Sequence, residues 1–253
     1  SLHYWDHFDF ADTSLISRPE ITEQAFVDFA SVLPYTPKAQ QAVDTLFSRT
    51  LAEKEMFYHF IALADKYLYE PNSPMHDEEL HILVLRALVN NPRLDEADKL
   101  RPRYLLEMAL KNRPGDVAAD FIVTCRNGKR VCLSEIKAEH TLLYFNNPDC
   151  EDCRRVKERL ASSPTVNRLL ESGRLKLLSI CVEGKTAAWE RAVDGYDTGQ
   201  RLTREQVYDL KAMPTLYLLD VDKRVILKDA SAERIEAWLS ESSIHPKNDE
   251  RPK

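Results

Sequence analysis

Through residues 1–112 the apolar positions recur at helical spacing, and beyond Pro114 they do not. In ITEQAFVDFASVL (21–33), Phe26, Phe29, Ala30 and Leu33 share one stripe behind Pro19-Glu20 and Thr22, which predicts an amphipathic helix. The stretch 37–70 carries Val43, Leu46, Phe47, Leu51, Phe57, Phe60, Ile61 and Ala64 on one stripe. It is long for a single helix, so a bend near Thr50–Glu53 would divide it. EPNSP (70–74) ends it, because two prolines so close together cannot continue a helix. HDEELHILVLRALVNN (76–91) opens with acids that suit a helix N-terminus. DEADKLRPRYLLEMALKN (95–112) reads as a further helix, with Pro102 either kinking it or marking its start. Phe57, Phe60 and Tyr67 are expected in the core. The histidines of this half, including His76 and His81, show no ligand spacing.

Beyond Pro114 the pattern shortens to strands alternating with helices. DFIVTCRNGKRVCLSEI (120–136) predicts two strands around Asn127-Gly128, a strong hairpin signal. TLLYFNN (141–147) is a β-rich run, CRRVKERLASS (153–163) is helical and LKLLSICVEG (175–184) is an apolar strand. TREQVYDLKA (203–212) reads as a helix, and MPTLYLLDVDKRVILKD (213–229) as two strands turning at Asp220–Lys223. SAERIEAWLSES (231–242) closes as a helix capped by Ser231. The expectation is an all-α N-terminal domain (1–112), an α/β C-terminal domain (113–243) and a flexible tail (244–253).

Composition narrows the function classes. With 43% hydrophobic and 30% charged residues, the chain is globular rather than disordered. A net charge of −6 without a basic run interleaved with aromatics argues against nucleic acid as a partner. No stretch approaches the ~20 apolar residues of a membrane span. The chain opens SLHYWDHFDF, without Met, charged n-region or apolar h-region, and is expected to be a trimmed or processed chain, with any export signal lying outside it. Five cysteines are an odd number, so a disulfide-dense scaffold is not expected.

The chemistry concentrates in NNPDCEDCRR (146–155). Cys150 follows a predicted strand and opens a predicted helix, where unpaired backbone N–H groups and the helix dipole favour a thiolate. Cys153 lies about one turn on, in reach to resolve a mixed disulfide. Redox exchange is the leading reading. A structural zinc site needs about four ligands, yet Cys125 and Cys132, with six residues between them, and the isolated His140 supply no second half. A copper site with Met213 lacks a matching cluster, and two inert cysteines remain the bland reading. No metal or cofactor is expected. Cys125 and Cys132 are taken as ordinary strand residues with a cystine as the rival, and Cys181 as a buried apolar residue.

These residues carry a resemblance. From about Pro114 to Ser242 the chain resembles the thioredoxin fold and, within it, exported thiol–disulfide oxidoreductases of cytochrome maturation and envelope redox. RPGDVAADF (113–121), NGKRVCLSEI (127–136), LLYFNNPDCEDCRR (142–155) and MPTLYLLD (213–220) carry the likeness. It implies Cys150 as the attacking and Cys153 as the resolving thiol, and a cis peptide before Pro214, with Met213 presenting its backbone to an extended substrate. YWDHFDFADTSLI, KYLYEPNSPMHDEEL and NRPGDVAADF resemble a helical domain of unknown role found in exported proteins of anaerobic gut bacteria. A periplasmic or lipid-anchored envelope location follows as an expectation. Partners would be protein thiols or disulfides and an upstream redox protein, and the helical half would restrict partners or pair two copies into a homodimer.

The chain departs from that pattern at three places. Asp149 stands where an aromatic residue is usual, Tyr144 where a buried acid serves the resolving thiol, and Val156 where relatives often carry an acid. The proton acceptor for Cys153 is left among water, His140 and Asp149. Asp149, Glu151 and Asp152 oppose a thiolate at Cys150, while Arg154, Arg155 and the helix N-terminus favour it. The carboxylates place the expected couple nearer roughly −270 mV than strong oxidants near roughly −120 mV. The competing class is a non-catalytic module using the same fold as a scaffold.

Overall fold

The computed structural model describes residues 3–125, 127–147, 149–182, 195–197 and 201–244. It forms two compact units, Ser1–Leu110 and Lys111–Lys253. The predicted tail lies outside the described residues, apart from Ile244.

The first unit is helical: α1 (Pro19–Val32), α2 (Ala39–Thr50), α3 (Lys54–Ala64), a π-helical turn (Asp65–Tyr69), α4 (Glu78–Asn90) and α5 (Glu96–Ala109). The long stripe divides between Thr50 and Lys54, where the bend was expected. Asp77 caps α4 by accepting from the Leu80 N–H at 3.0 Å, and Asp95 caps α5 by accepting from Asp98 at 2.8 Å. That cap starts α5 well before Pro102, which lies buried inside the helix. Trp5 anchors the core, its ring 5.2–5.7 Å from those of Phe8, Phe10, Phe29 and Phe60. Phe57 and Phe60 are buried and Tyr67 packs at the margin. His81 faces Asp65 at 3.4 Å, which also takes Arg101 at 2.8 Å.

Among the described residues the second unit is built on a sheet of seven strands in the order β2-β1-β5-β4-β3-β6-β7. They are β1 (Ile122–Cys125), β2 (Arg130–Cys132), β3 (His140–Asn146), β4 (Leu175–Cys181), β5 (Gly195–Asp197), β6 (Thr215–Leu219) and β7 (Val225–Lys228). β3, β4 and β5 are parallel neighbours, and the flanking strands are antiparallel. Strand alternation sends Leu142 and Tyr144 of β3 to one face and Leu143 and Phe145 to the other. The first face is covered by α6 (Glu151–Ser162), α7 (Pro164–Glu171) and α8 (Ala232–Ile244) through Leu160, Val166, Leu169, Ile235 and Leu239. Ser231 caps α8 as expected, accepting from the Arg234 N–H at 3.2 Å.

The opposite face corrects the sequence reading. Residues 203–212 are not a helix but an irregular segment, with Gln206 at φ 48°. Tertiary contacts override its helical propensity. The Tyr208 hydroxyl donates to the Ala119 carbonyl at 2.8 Å, and the Asn112 amide donates to the Val207 carbonyl at 2.7 Å. Leu202 and Tyr208 are thereby sunk against Phe121, Phe145 and Tyr217. In the hairpin, Cys132 lies opposite Ile122 while Cys125 bonds Lys129, so Cys125 and Cys132 do not face each other and both are free thiols.

Candidate functional site

β3 ends at Asn146 and α6 begins at Glu151, so the intervening turn delivers Cys150 to the helix N-cap. Its backbone there is extended (φ −85°, ψ 126°), and its Sγ accepts from the Cys153 N–H at 3.2 Å. This is the geometry in which a helix terminus stabilises sulfur-borne negative charge. The same thiol lies 3.6 Å from the Met213 carbonyl, to which it donates. The Met213–Pro214 peptide is cis. The structure therefore brings Cys150, Cys153, Met213 and Pro214 together from two distant segments.

The two thiols differ in exposure. Cys150 is half-buried, and Cys153 is 3% exposed in the core formed with Tyr144 and Leu160. Burial chiefly, with the Cys150 sulfur adding to it and Asp152 contributing least, pushes the Cys153 thiol up to about 12. A backbone hydrogen bond from Asn147 works the other way.

Asp149, Glu151 and Asp152 are exposed around this turn. Two of them are partnered by the next turn of α6: Arg154 reaches Glu151 at 3.2 Å and Glu158 at 3.2 Å, and Arg155 pairs with Asp152. The arginines expected to offset the carboxylates thus do so by direct pairing, at the i,i+3 spacing a helix provides. Screening by solvent leaves these exposed pairs a small residual field.

His140 is not a proton acceptor for Cys153. It starts β3 four residues before Tyr144, the residue that touches Cys153, and a strand covers roughly 13 Å in that interval, beyond hydrogen-bond reach. It packs edge-on against Trp238 at 5.3 Å, and burial holds its imidazole below the usual range.

Two features of the site escaped the sequence reading. The Tyr144 hydroxyl donates to the Cys153 carbonyl at 2.6 Å. The buried Asn146 amide lies within 3.0 Å of the Tyr144 carbonyl and Ser179 Oγ and 3.2 Å from the Ile180 carbonyl, tying the end of β3 to β4. Their signal was a tyrosine and an asparagine at the apolar, cysteine-proximal end of β3, beside Leu142, Leu143 and Phe145. Among the described residues no group of His, Cys, Asp and Glu is arranged to hold a metal ion, and no helix is long and apolar enough to cross a membrane.

With strand, N-capping cysteine, buried second cysteine and opposing loop in place, the class is that of the thioredoxin fold. Residues 1–112 match the domain of unknown function DUF5106. The whole chain is similar to the crystal structure of a thioredoxin-like protein from Bacteroides caccae, at 42% identity and a TM-score of 0.87, covering 96% of this chain and 90% of that one. The chain belongs to this family of thioredoxin-like proteins, with DUF5106 as its first half. The chain is also similar to the thiol-disulfide oxidoreductase ResA of Bacillus subtilis, 23% identical over 139 residues, or 52% of this chain and 72% of that protein.

Proposed function

We propose that the protein is a thiol–disulfide oxidoreductase of the cell envelope, a reductase or isomerase, in which Cys150 attacks a substrate disulfide and Cys153 resolves the mixed disulfide. The observation that carries this reading is the asymmetry at the head of α6. Cys150 is accessible and accepts a backbone N–H, whereas Cys153 is buried and protonated directly behind it. In the first step the Cys150 thiolate takes one sulfur of the substrate disulfide and the other leaves as a thiolate. In the second, Cys153 gives up its proton and attacks Cys150, forming the Cys150–Cys153 bond and releasing the substrate thiol. Asp149, Glu151 and Asp152 tune the couple, and an upstream redox protein returns the electrons. The backbone of Met213 beside Pro214 is positioned to meet an extended segment of the substrate. The envelope location is supported by the resemblance to exported relatives rather than by any anchor within the described residues.

A Cys153→Ser variant expressed in cells tests this reading. Mixed disulfides with envelope proteins, released by dithiothreitol and absent from a Cys150→Ser/Cys153→Ser control, are expected. No such adducts, together with no reversible redox couple in glutathione buffers, would hand the case to the scaffold reading.

A further inference from the structure

The second thiol has to reach the first sulfur from a buried position, and one contact governs where it sits. Cys153 occupies the first turn of α6, and in an α-helix its carbonyl already accepts from the residue four positions on. The Tyr144 hydroxyl supplies a further donor from β3, at 2.6 Å, with both residues buried. A phenol O–H is directional, and a donor fixed in the central strand pins the turn against the sheet. The pin acts on the residue that bears the resolving sulfur. Tyr144 is held in turn by the strand ladder, paired to Ser179 on one side and Leu216 on the other.

We propose that Tyr144 is a positioning residue for the resolving step, holding the Cys153 turn so that its sulfur faces Cys150. The proposal rests on the redox reading of the cysteine pair and deepens it. Tyr144 is not the base that ionises Cys153. Burial, with both sulfurs adding to it, pushes its hydroxyl above the ordinary tyrosine range, so it stays neutral and donates. Its contribution is geometric: intramolecular attack is fast only when the reacting atoms are held close and aligned.

The reaction with one equivalent of the aromatic disulfide DTNB separates the two steps, using the full chain carrying Cys125→Ser and Cys132→Ser. Cys150 attacks first, breaking the reagent's S–S bond and releasing one thionitrobenzoate. Cys153 then attacks Cys150, forms the Cys150–Cys153 bond, loses its proton to buffer and releases the second thionitrobenzoate. Tyr144→Phe removes only the hydroxyl. The expected result is a second release slowed about tenfold, with an unchanged pH slope and a first release close to the parent rate. The unchanged pH slope marks a loss of position rather than of a proton acceptor, and the first release reports that the variant is folded. A second release at the parent rate overturns the proposal while leaving the proposed function intact. A parent protein that never gives a second release overturns both. Should Tyr144→Phe not fold, 3-fluorotyrosine placed at position 144 keeps the packing and strengthens the donor. A change of about twofold or more in the second release supports the proposal, and no change overturns it.

Discussion

Cys132, at the exit of the β1–β2 hairpin, and Cys150, at the junction of β3 and α6, occupy comparable backbone positions. Each is the N-cap residue of the helical segment that follows it, and each lies near carboxylates. Both sulfurs donate and accept, and they differ in what takes the hydrogen: the Asp120 carboxylate at Cys132, the neutral Met213 carbonyl at Cys150. Cys132 precedes a single 3-10 turn, Leu133–Glu135, and its S–H donates to Asp120 at 3.1 Å, which also accepts from the Ser134 hydroxyl at 2.7 Å. Cys150 precedes a helix of 12 residues, accepts a backbone N–H, and has two of its three neighbouring acids, Glu151 and Asp152, paired with arginines. A thiol that spends its hydrogen on a carboxylate serves as a latch. One whose hydrogen goes to a neutral carbonyl, and which also receives an N–H at the head of a long helix, is prepared to carry charge. What surrounds the sulfur on the backbone decides its chemistry more than the count of nearby acids does.

The sharpest way to break this comparison is substitution. Cys150→Ser is expected to lower insulin reduction about a thousandfold or more, whereas Cys132→Ser leaves it within about twofold of the parent. Comparable losses in the two variants would erase the distinction. The resolving thiol supplies the next test. Its raised value means that the folded protein holds the Cys153 proton after the unfolded chain, with its thiol near about 8.5, has lost it. Stability of the reduced protein is therefore level below about pH 8.5 and falls as pH rises toward about 12. Urea midpoints from pH 7 to 10 are expected to decline in the parent and to decline less in Cys153→Ser; parallel curves would refute the burial argument.

Alkylation by iodoacetamide sharpens the comparison at the latch. Asp120→Asn is expected to speed modification of Cys132 about fivefold by removing the acceptor and its charge, with Cys150 unaffected. Equal acceleration at both thiols, or none at Cys132, would show that the latch does not restrain it. The smallest effect belongs to the paired acids. Glu151→Pro with Asp152→His is expected to raise the reduction potential by only about 15 mV, roughly threefold in the equilibrium constant. A much larger rise would mean that Arg154 and Arg155 leave those carboxylates acting at full strength.

Most elements were readable in the chain because their determinants are local. Asn127-Gly128 marks the hairpin, Asp77 and Asp95 mark helix starts, and the run from Thr141 to Asn147 leading into Cys150 marks the site. The i,i+3 pairing of Glu151 with Arg154 could also have been read from spacing. What escaped depends on partners remote in sequence. Residues 203–212 carry a passable helical pattern, yet Tyr208 and Val207 are claimed by Ala119 and Asn112, so the segment is tied down rather than wound up. The sequence marks Tyr144 only as the place of a missing acid; its role shows once the turn after β3 brings the Cys153 carbonyl over it. His140 looked near the cysteines because few residues separate them, yet an extended strand sets it four residues back from Tyr144, the residue that meets Cys153.

The Trp5 cage makes the helical half optically legible. Its indole is 1% exposed, its Nε1 has no hydrogen-bond partner among the described residues and its neighbours are aromatic rings. Such an indole emits toward the blue, and water entering the cage shifts the emission red. With Trp189 and Trp238 replaced by Phe, that colour change would time the melting of the first unit alone. A dye on Cys150 would report the second, so one cuvette could show whether the halves come apart together or in turn.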